Sequence, residues 1–218
     1  MNQNRILRLA IQFAKKLVPE PIYIYAKIIF GPLVWKIVGG AKPPHGVKVY
    51  QIKKFQKEHK LKTFIETGTH MGDMVSAIRK NFREIYSIEL DKSLWKRASK
   101  KFLSFSNVHI IHGSSDLVLR NFLPHIKQQC LFWLDAHYSG GITAKGNLAC
   151  PVVGELEAIQ DHFIKNHVIM IDDADDFIGK NDYPTLDEVQ AILKRINPEY
   201  KVEVEDNIIQ AYIPDSSI

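Results

Sequence analysis

From residue 47 onward two hydrophobic rhythms alternate along the chain. Short, nearly unbroken runs of apolar and β-branched residues occur at 63–66 (TFIE), 84–89 (EIYSIE), 107–111 (NVHII), 130–135 (CLFWLD) and 167–172 (HVIMID). Such runs predict buried strands, and the wholly apolar 130–135 predicts a central one covered on both faces. Between them the apolar positions recur at three and four. Met71, Val75, Ile78 and Phe82 predict a helix over 71–82; Leu94, Ala98 and Phe102 predict one over 92–103. Val152, Leu156, Ile159 and Phe163 form the apolar stripe of a helix over 151–165. Further helices are predicted over 47–60, 117–122 and about 184–195. The tail is two strand-like runs, 201–205 and 208–213, split by Asp206-Asn207, which is a hairpin signal. Strands alternating with helices predict a doubly wound α/β sheet of seven strands, mostly parallel, with a C-terminal antiparallel hairpin.

The first 46 residues follow a different pattern. Over 5–18, Ile6, Leu9, Ala10, Phe13 and Leu17 share one helical face, while Arg5, Arg8, Lys15 and Lys16 lie elsewhere, until Pro19 and Pro21 end the run. Residues 22–38 are more apolar, but Lys27, Gly31-Pro32 and Lys36 interrupt them, short of the about 20 apolar residues a bilayer span needs. Gly39-Gly40 and Pro43-Pro44 read as a linker. The expected organisation is an N-terminal helical segment and linker over 1–46, then a Rossmann-like domain over 47–218. Charge follows the same division. Residues 1–62 carry 13 Lys/Arg against 2 Asp/Glu, and residues 63–218 carry 16 against 22, which leaves the chain at +5. Two readings of the basic segment stand side by side. It is an interfacial anchor on an anionic membrane surface, through residues 1–40 with Tyr23, Tyr25 and Trp35 near the headgroups. Or it is a cap on the domain or on the second subunit of a homodimer. The expected location is cytoplasmic, and on the anchor reading peripheral at the inner membrane face. Cys130 and Cys150 have neither C-x-x-C nor metal spacing and are expected to be reduced thiols. The acidic globular part speaks against nucleic acid as a partner.

Polar residues collect at the predicted strand ends. Glu66, Glu89, Gly113-Ser114, Asp135 and Asp172-Asp173 each terminate one, and in a doubly wound sheet these ends share the edge where ligands bind. After Glu66, Gly68 and Gly72 make a tight turn of the form E-x-G-x-x-x-G, not the G-x-G-x-x-G of dinucleotide folds. Glu89 follows Gly68 by 21 residues, the spacing at which a carboxylate accepts hydrogen bonds from ribose hydroxyls. Asp91 and Ser93 are better suited to cap the next helix.

The ordered motifs FIETGTHMGD, YSIELD, IIHGSSD, FWLDAHYSGG and MIDDAD, spanning roughly residues 62–213, resemble the class I S-adenosylmethionine-dependent methyltransferases. The paired acids after the fifth strand look like the metal-dependent sugar O-methyltransferases of macrolide pathways, macrocin O-methyltransferase among them. The resemblance implies that S-adenosylmethionine lies across the first three strand ends. Glu66, Gly68, Thr69, His70 and Gly72 would hold its methionine part, Glu89 and Leu90 its ribose side, and Gly113, Ser114 and Ser115 its adenine, with Asp135 beside the methyl group. At Gly113-Ser114 the family often has Gly-Asp. Asp135, Asp172 and Asp173 match the family's Mg²⁺ ligands. His137, with a reference pKa of about 6.5, is the candidate general base oriented by Asp135, at a position where those enzymes often carry an acid. The glycine-rich stretch after it offers Tyr138 to stack on a sugar ring and Lys145 to reach an anionic group. The expected activity is O-methylation of a carbohydrate or glycolipid hydroxyl, the partner being a small-molecule or glycan acceptor. A membrane-attached binding or scaffold protein without turnover and a nicotinamide-dependent oxidoreductase are the alternatives.

Overall fold

The computed structural model describes residues 42–136 and 150–214. The chain divides into two units, Met1–Gln51 and Ile52–Ile218. Helix α1 (His45–Glu58) begins in the first. The order thereafter is β1 (Thr63–Thr67), α2 (Asp73–Ile78), β2 (Glu84–Glu89), α3 (Lys92–Phe102), β3 (Val108–His112), α4 (Ser115–Phe122), β4 (Cys130–Leu134), α5 (Val152–Asp161), β5 (Val168–Ile171), α6 (Leu186–Ile196), β6 (Lys201–Glu205) and β7 (Ile208–Tyr212).

Among the described residues these strands form one seven-stranded sheet, ordered β3-β2-β1-β4-β5-β7-β6. β1 to β5 pair in parallel, whereas β7 runs antiparallel to both β5 and β6. The order reverses between β1 and β4, the switch point at whose carboxyl ends sheets of this kind bind ligands. β1, β4 and β5 are buried at every position, as parallel strands covered on both faces must be. Because side chains alternate along a strand, Ile65, Phe132, Leu134, Ile169 and Ile171 reach one face. There they join Leu119, Leu156, Ile159, Val189 and Leu193 from α4, α5 and α6 in a single core.

Most helix boundaries shift by one or two residues from the sequence pattern, and three differences have a clear local cause. α2 is six residues long, not twelve. Gly72 precedes it in the left-handed region (φ 70°), and at its far end the Lys62 carbonyl accepts from the Arg83 and Glu84 N–H groups at 2.8 and 3.2 Å, drawing the chain into β2. α4 starts at Ser115 rather than 117, since Ser114 already has the extended backbone of an N-cap. α5 stops at Asp161 because His162 turns extended and commits its ring to Ile126 and His167. Phe163 therefore leaves the apolar stripe and is 58% exposed, with the Lys127 ammonium 4.8 Å from its ring centre.

Asp206 and Asn207 both have positive φ, which makes the predicted hairpin a two-residue turn of the mirror-image kind that suits strand twist. The turn also reaches across the sheet. The Asn207 carbonyl accepts from the Ala174 N–H at 2.9 Å, and its side-chain Oδ1 from the Asp175 N–H at 2.8 Å. The loop after β5 is thus pinned from outside. No helix among the described residues is long and apolar enough to cross a membrane. The predicted N-terminal amphipathic and apolar runs lie outside the described residues.

Candidate active site

Glu66, Glu89, Asp135 and Asp172 come from the carboxyl ends of four adjacent strands, β1, β2, β4 and β5. Neighbouring strands lie about 4.8 Å apart, so the four stand along one edge. The turn after β1 is stitched to both neighbours. The Gly68 and Thr69 N–H groups donate to the Ile88 carbonyl of β2 at 2.9 and 3.2 Å. On the other side Gly68, at φ 87°, lies so close to β4 that a Cβ there would collide with the Asp135 carbonyl oxygen. Only glycine satisfies both the angle and the approach. Asp135 N–H in turn donates to the Thr67 carbonyl at 3.1 Å and to its hydroxyl at 3.2 Å, closing the link between β1 and β4.

Glu89 is 6% exposed, and each of its oxygens accepts a backbone N–H: His70 at 2.7 Å and Asp91 at 2.8 Å. His70, at φ 47°, therefore enters through its main chain. The cap of α3 is Asp91, whose Oδ1 accepts from Ser93 and Leu94 N–H, so Glu89 is spared that duty. Leu90 beside it is 37% exposed, an apolar surface at the edge, and the Gly113 N–H donates to the Glu89 carbonyl at 3.0 Å. The Ser114 hydroxyl donates to Asp116 at 2.5 Å, and Ser115 is the buried first residue of α4.

Glu66 is 2% exposed. Burial raises its carboxyl from 4.5 to about 8, and Asp135 and Glu89 add to the rise while a hydrogen bond from Ser87 opposes it. Ser87 was not singled out from the sequence. Strand alternation puts it on the same side of β2 as Glu89, but its pairing with Glu66 follows from the parallel register that sets the two opposite each other.

At β5 the Asp172 N–H donates to the Leu134 carbonyl at 3.1 Å, and the side chain is 1% exposed. Asp173 takes a left-handed backbone (φ 55°, ψ 51°) and reverses the chain into a short turn, Ala174–Asp176. Among the described residues no group of three His, Cys, Asp or Glu is gathered to hold a metal ion. Asp135, Asp172 and Asp173, the expected Mg²⁺ ligands, do not form such a group in this structure. His137, Tyr138 and Lys145 lie outside the described residues.

A hollow beside Asp172 is lined by Leu134, Ala136, Cys150, Val152, Glu155 and Phe177. Sequence reasoning missed this wall. Tyr183 packs edge-on against Phe177, ring centres 5.4 Å apart. Burial, then Cys150, Asp176, Asp173 and Asp135, push its phenol up. Burial likewise lifts the Cys150 thiol to about 12, with Glu155, Asp182 and Asp176 adding to it, and both cysteines are free. The groups that shift Tyr183 are thus mainly acidic. No motif flags Tyr183, which packs behind Phe177 from a loop that Gly179, Asn181 and Asp182 bend with positive φ.

No family model matches this chain, and no curated protein does. Solved structures do. The chain is similar over 99% of its length to the S-adenosylhomocysteine-bound methyltransferase PaMTH1 of Podospora anserina (97% of that chain, 18% identity, TM-score 0.55). Over 95% it is similar to a Staphylococcus aureus protein proposed to be a caffeoyl-CoA O-methyltransferase (98% of that chain, 12% identity, TM-score 0.55). Over 77% it is similar to the N-methyltransferase NodS of Bradyrhizobium japonicum (95% of that chain, 10% identity, TM-score 0.50). At these identities the likeness is one of fold, the Rossmann-like sheet of methyltransferases, and it agrees with the strand order described above.

Proposed function

We propose that this chain is an S-adenosylmethionine-dependent methyltransferase acting on a carbohydrate hydroxyl. The observation that carries the cofactor half is Glu89. Two backbone N–H groups fix its carboxylate at the end of β2, where it faces the glycine turn and keeps lone pairs for ribose hydroxyls. Leu90 offers its exposed side to the ribose end, and Gly113 to Ser115 supply main-chain groups to an adenine. Gly68, Thr69, His70 and Gly72 wrap the methionine end above Glu66. The cofactor, once bound, brings a methyl group already activated on a cationic sulfur. What remains for the protein is to align an acceptor in line with that bond, exclude water and take the acceptor's proton. Asp135 stands at the switch point for this, held by Thr67, and His137 two residues on is the proposed base. Tyr138 and Lys145 are proposed to meet the acceptor. No step is routed through a metal ion. The carbohydrate assignment rests on the motif resemblance.

Calorimetry with S-adenosylhomocysteine tests the first half. Binding in the micromolar range is expected, and Glu89→Ala should weaken it at least tenfold by removing a charged acceptor. Failure of the full chain to bind would reject the reading. Labelled S-adenosylmethionine with a panel of sugars then tests the acceptor. A second reading, an amine acceptor, is favoured by the acids around Cys150 and Tyr183. Label moving to amines and not to sugars would replace the first by the second.

A further inference from the structure

Under the glycine turn three buried polar side chains form a chain. Ser87 donates its hydroxyl to Oε2 of Glu66, and the Thr69 and Ser87 hydroxyl oxygens are 2.6 Å apart. With its proton given to Glu66, Ser87 must accept from Thr69, so the direction of the chain is set: Thr69 to Ser87 to Glu66. Ser87 is fully buried, Thr69 is 3% exposed and Glu66 2%.

We infer that Ser87 is a positioning residue for the methionine end of the cofactor: it fixes the Glu66 carboxylate beneath the turn, and Thr69 fixes Ser87. This rests on the cofactor reading above. The electrostatic surroundings say why such a device is needed. Among the described residues, the charged groups acting on Glu66 are Asp135, from the end of β4, and Glu89, from the end of β2, and both are acids that oppose its charge. Burial opposes it too, while Ser87 favours it. A cationic ammonium arriving at this turn therefore completes a site that, among the described residues, the Ser87 hydroxyl has prepared. Its binding draws Glu66 into the ionised form and releases a proton to solvent.

The test is calorimetry of the full chain with S-adenosylhomocysteine between pH 6 and 9, in two buffers of different ionisation enthalpy. In the wild type, affinity should rise with pH up to about 8 and level off, with proton release near neutrality falling to none at pH 9. Ser87→Ala should bind about tenfold more weakly at pH 7 and recover most of that loss by pH 9, since high pH ionises Glu66 without help. Thr69→Val, which keeps the shape and loses the hydroxyl, should show the same pH signature at smaller size. Glu66→Gln should bind weakly with no pH dependence from this group. Equal weakening of Ser87→Ala at every pH, or no weakening at all, overturns the inference while leaving the cofactor reading in place. Absence of binding in the wild type takes down both. If Ser87→Ala does not fold, Thr69→Val decides on the same criteria.

Discussion

Individual side chains in this fold are governed by what burial does to them. His167, fully buried, accepts the Cys130 N–H at Nδ1, so its Nε2 carries the proton and donates to His162 at 2.8 Å. His162 then donates to the Ile126 carbonyl at 3.0 Å. This relay closes the amino-terminal edge of β4 and β5, opposite the candidate site. Burial first, and then His162 and Lys165, depress His167 from 6.5 to about 3. The unfolded chain therefore takes up the proton first. Stability from this group is complete above about pH 6.5 and is lost as pH falls toward 3, by up to about 1.4 kcal/mol per pH unit. Urea midpoints measured from pH 7 to 5 should fall accordingly, and a flat profile would refute the buried neutral His167. Gly68 carries the other residue-scale prediction. Gly68→Ala forces a Cβ into the Asp135 carbonyl at positive φ, strain on the order of 1–3 kcal/mol. Thermal melting should show that loss, together with weakened S-adenosylhomocysteine binding because β1 and β4 must part.

Among the elements, the hairpin β6–β7 does more than complete the sheet. β7 lies between β5 and β6, and the hairpin's turn is bonded to the loop that carries Asp173. The hollow lined by Asp172 and Phe177 lies next to that loop. Asn207→Ala removes a side-chain acceptor and the residue type that best tolerates the turn, a change worth roughly 1–2 kcal/mol. Cofactor affinity should stay as in the wild type, because β1 to β3 are untouched, while turnover falls as the loop that carries Asp173 loosens. Equal damage to both would mean that the two halves of the edge are not independent. α3 is held by its Asp91 cap, by its buried Leu94, Ala98 and Phe102, and by Lys101, whose ammonium donates to the Met71 and Gly72 carbonyls at 2.8 and 3.2 Å.

For the whole molecule, ligand binding and folding are linked, since the strand ends at the switch point come together only when the sheet order is formed. At a hundredfold excess over its dissociation constant, S-adenosylhomocysteine should stabilise the folded chain by about 2.7 kcal/mol. For a chain of this length that is a rise in Tm of roughly 5–11 °C, readable by scanning fluorimetry. An unchanged Tm at saturating ligand would argue that the turn at Gly68 binds something else.

Much of this architecture is written in local spacing. The period of the apolar positions names each strand and helix because burial is read over a few residues at a time, and acids at the ends of apolar runs mark one edge of the sheet. Glu66, Glu89, Asp135 and Asp172 were all legible in that way. Helix ends were less so, since Lys62 and the His162 ring compete for the chain from elsewhere in the fold. The partners of those marked residues were out of reach. Ser87 meets Glu66 across 21 positions, Asn207 meets Asp175 across 32, and His167 meets Cys130 across 37. Such pairs depend on register and on which strands become neighbours, and crossovers set both after the local pattern has been spent.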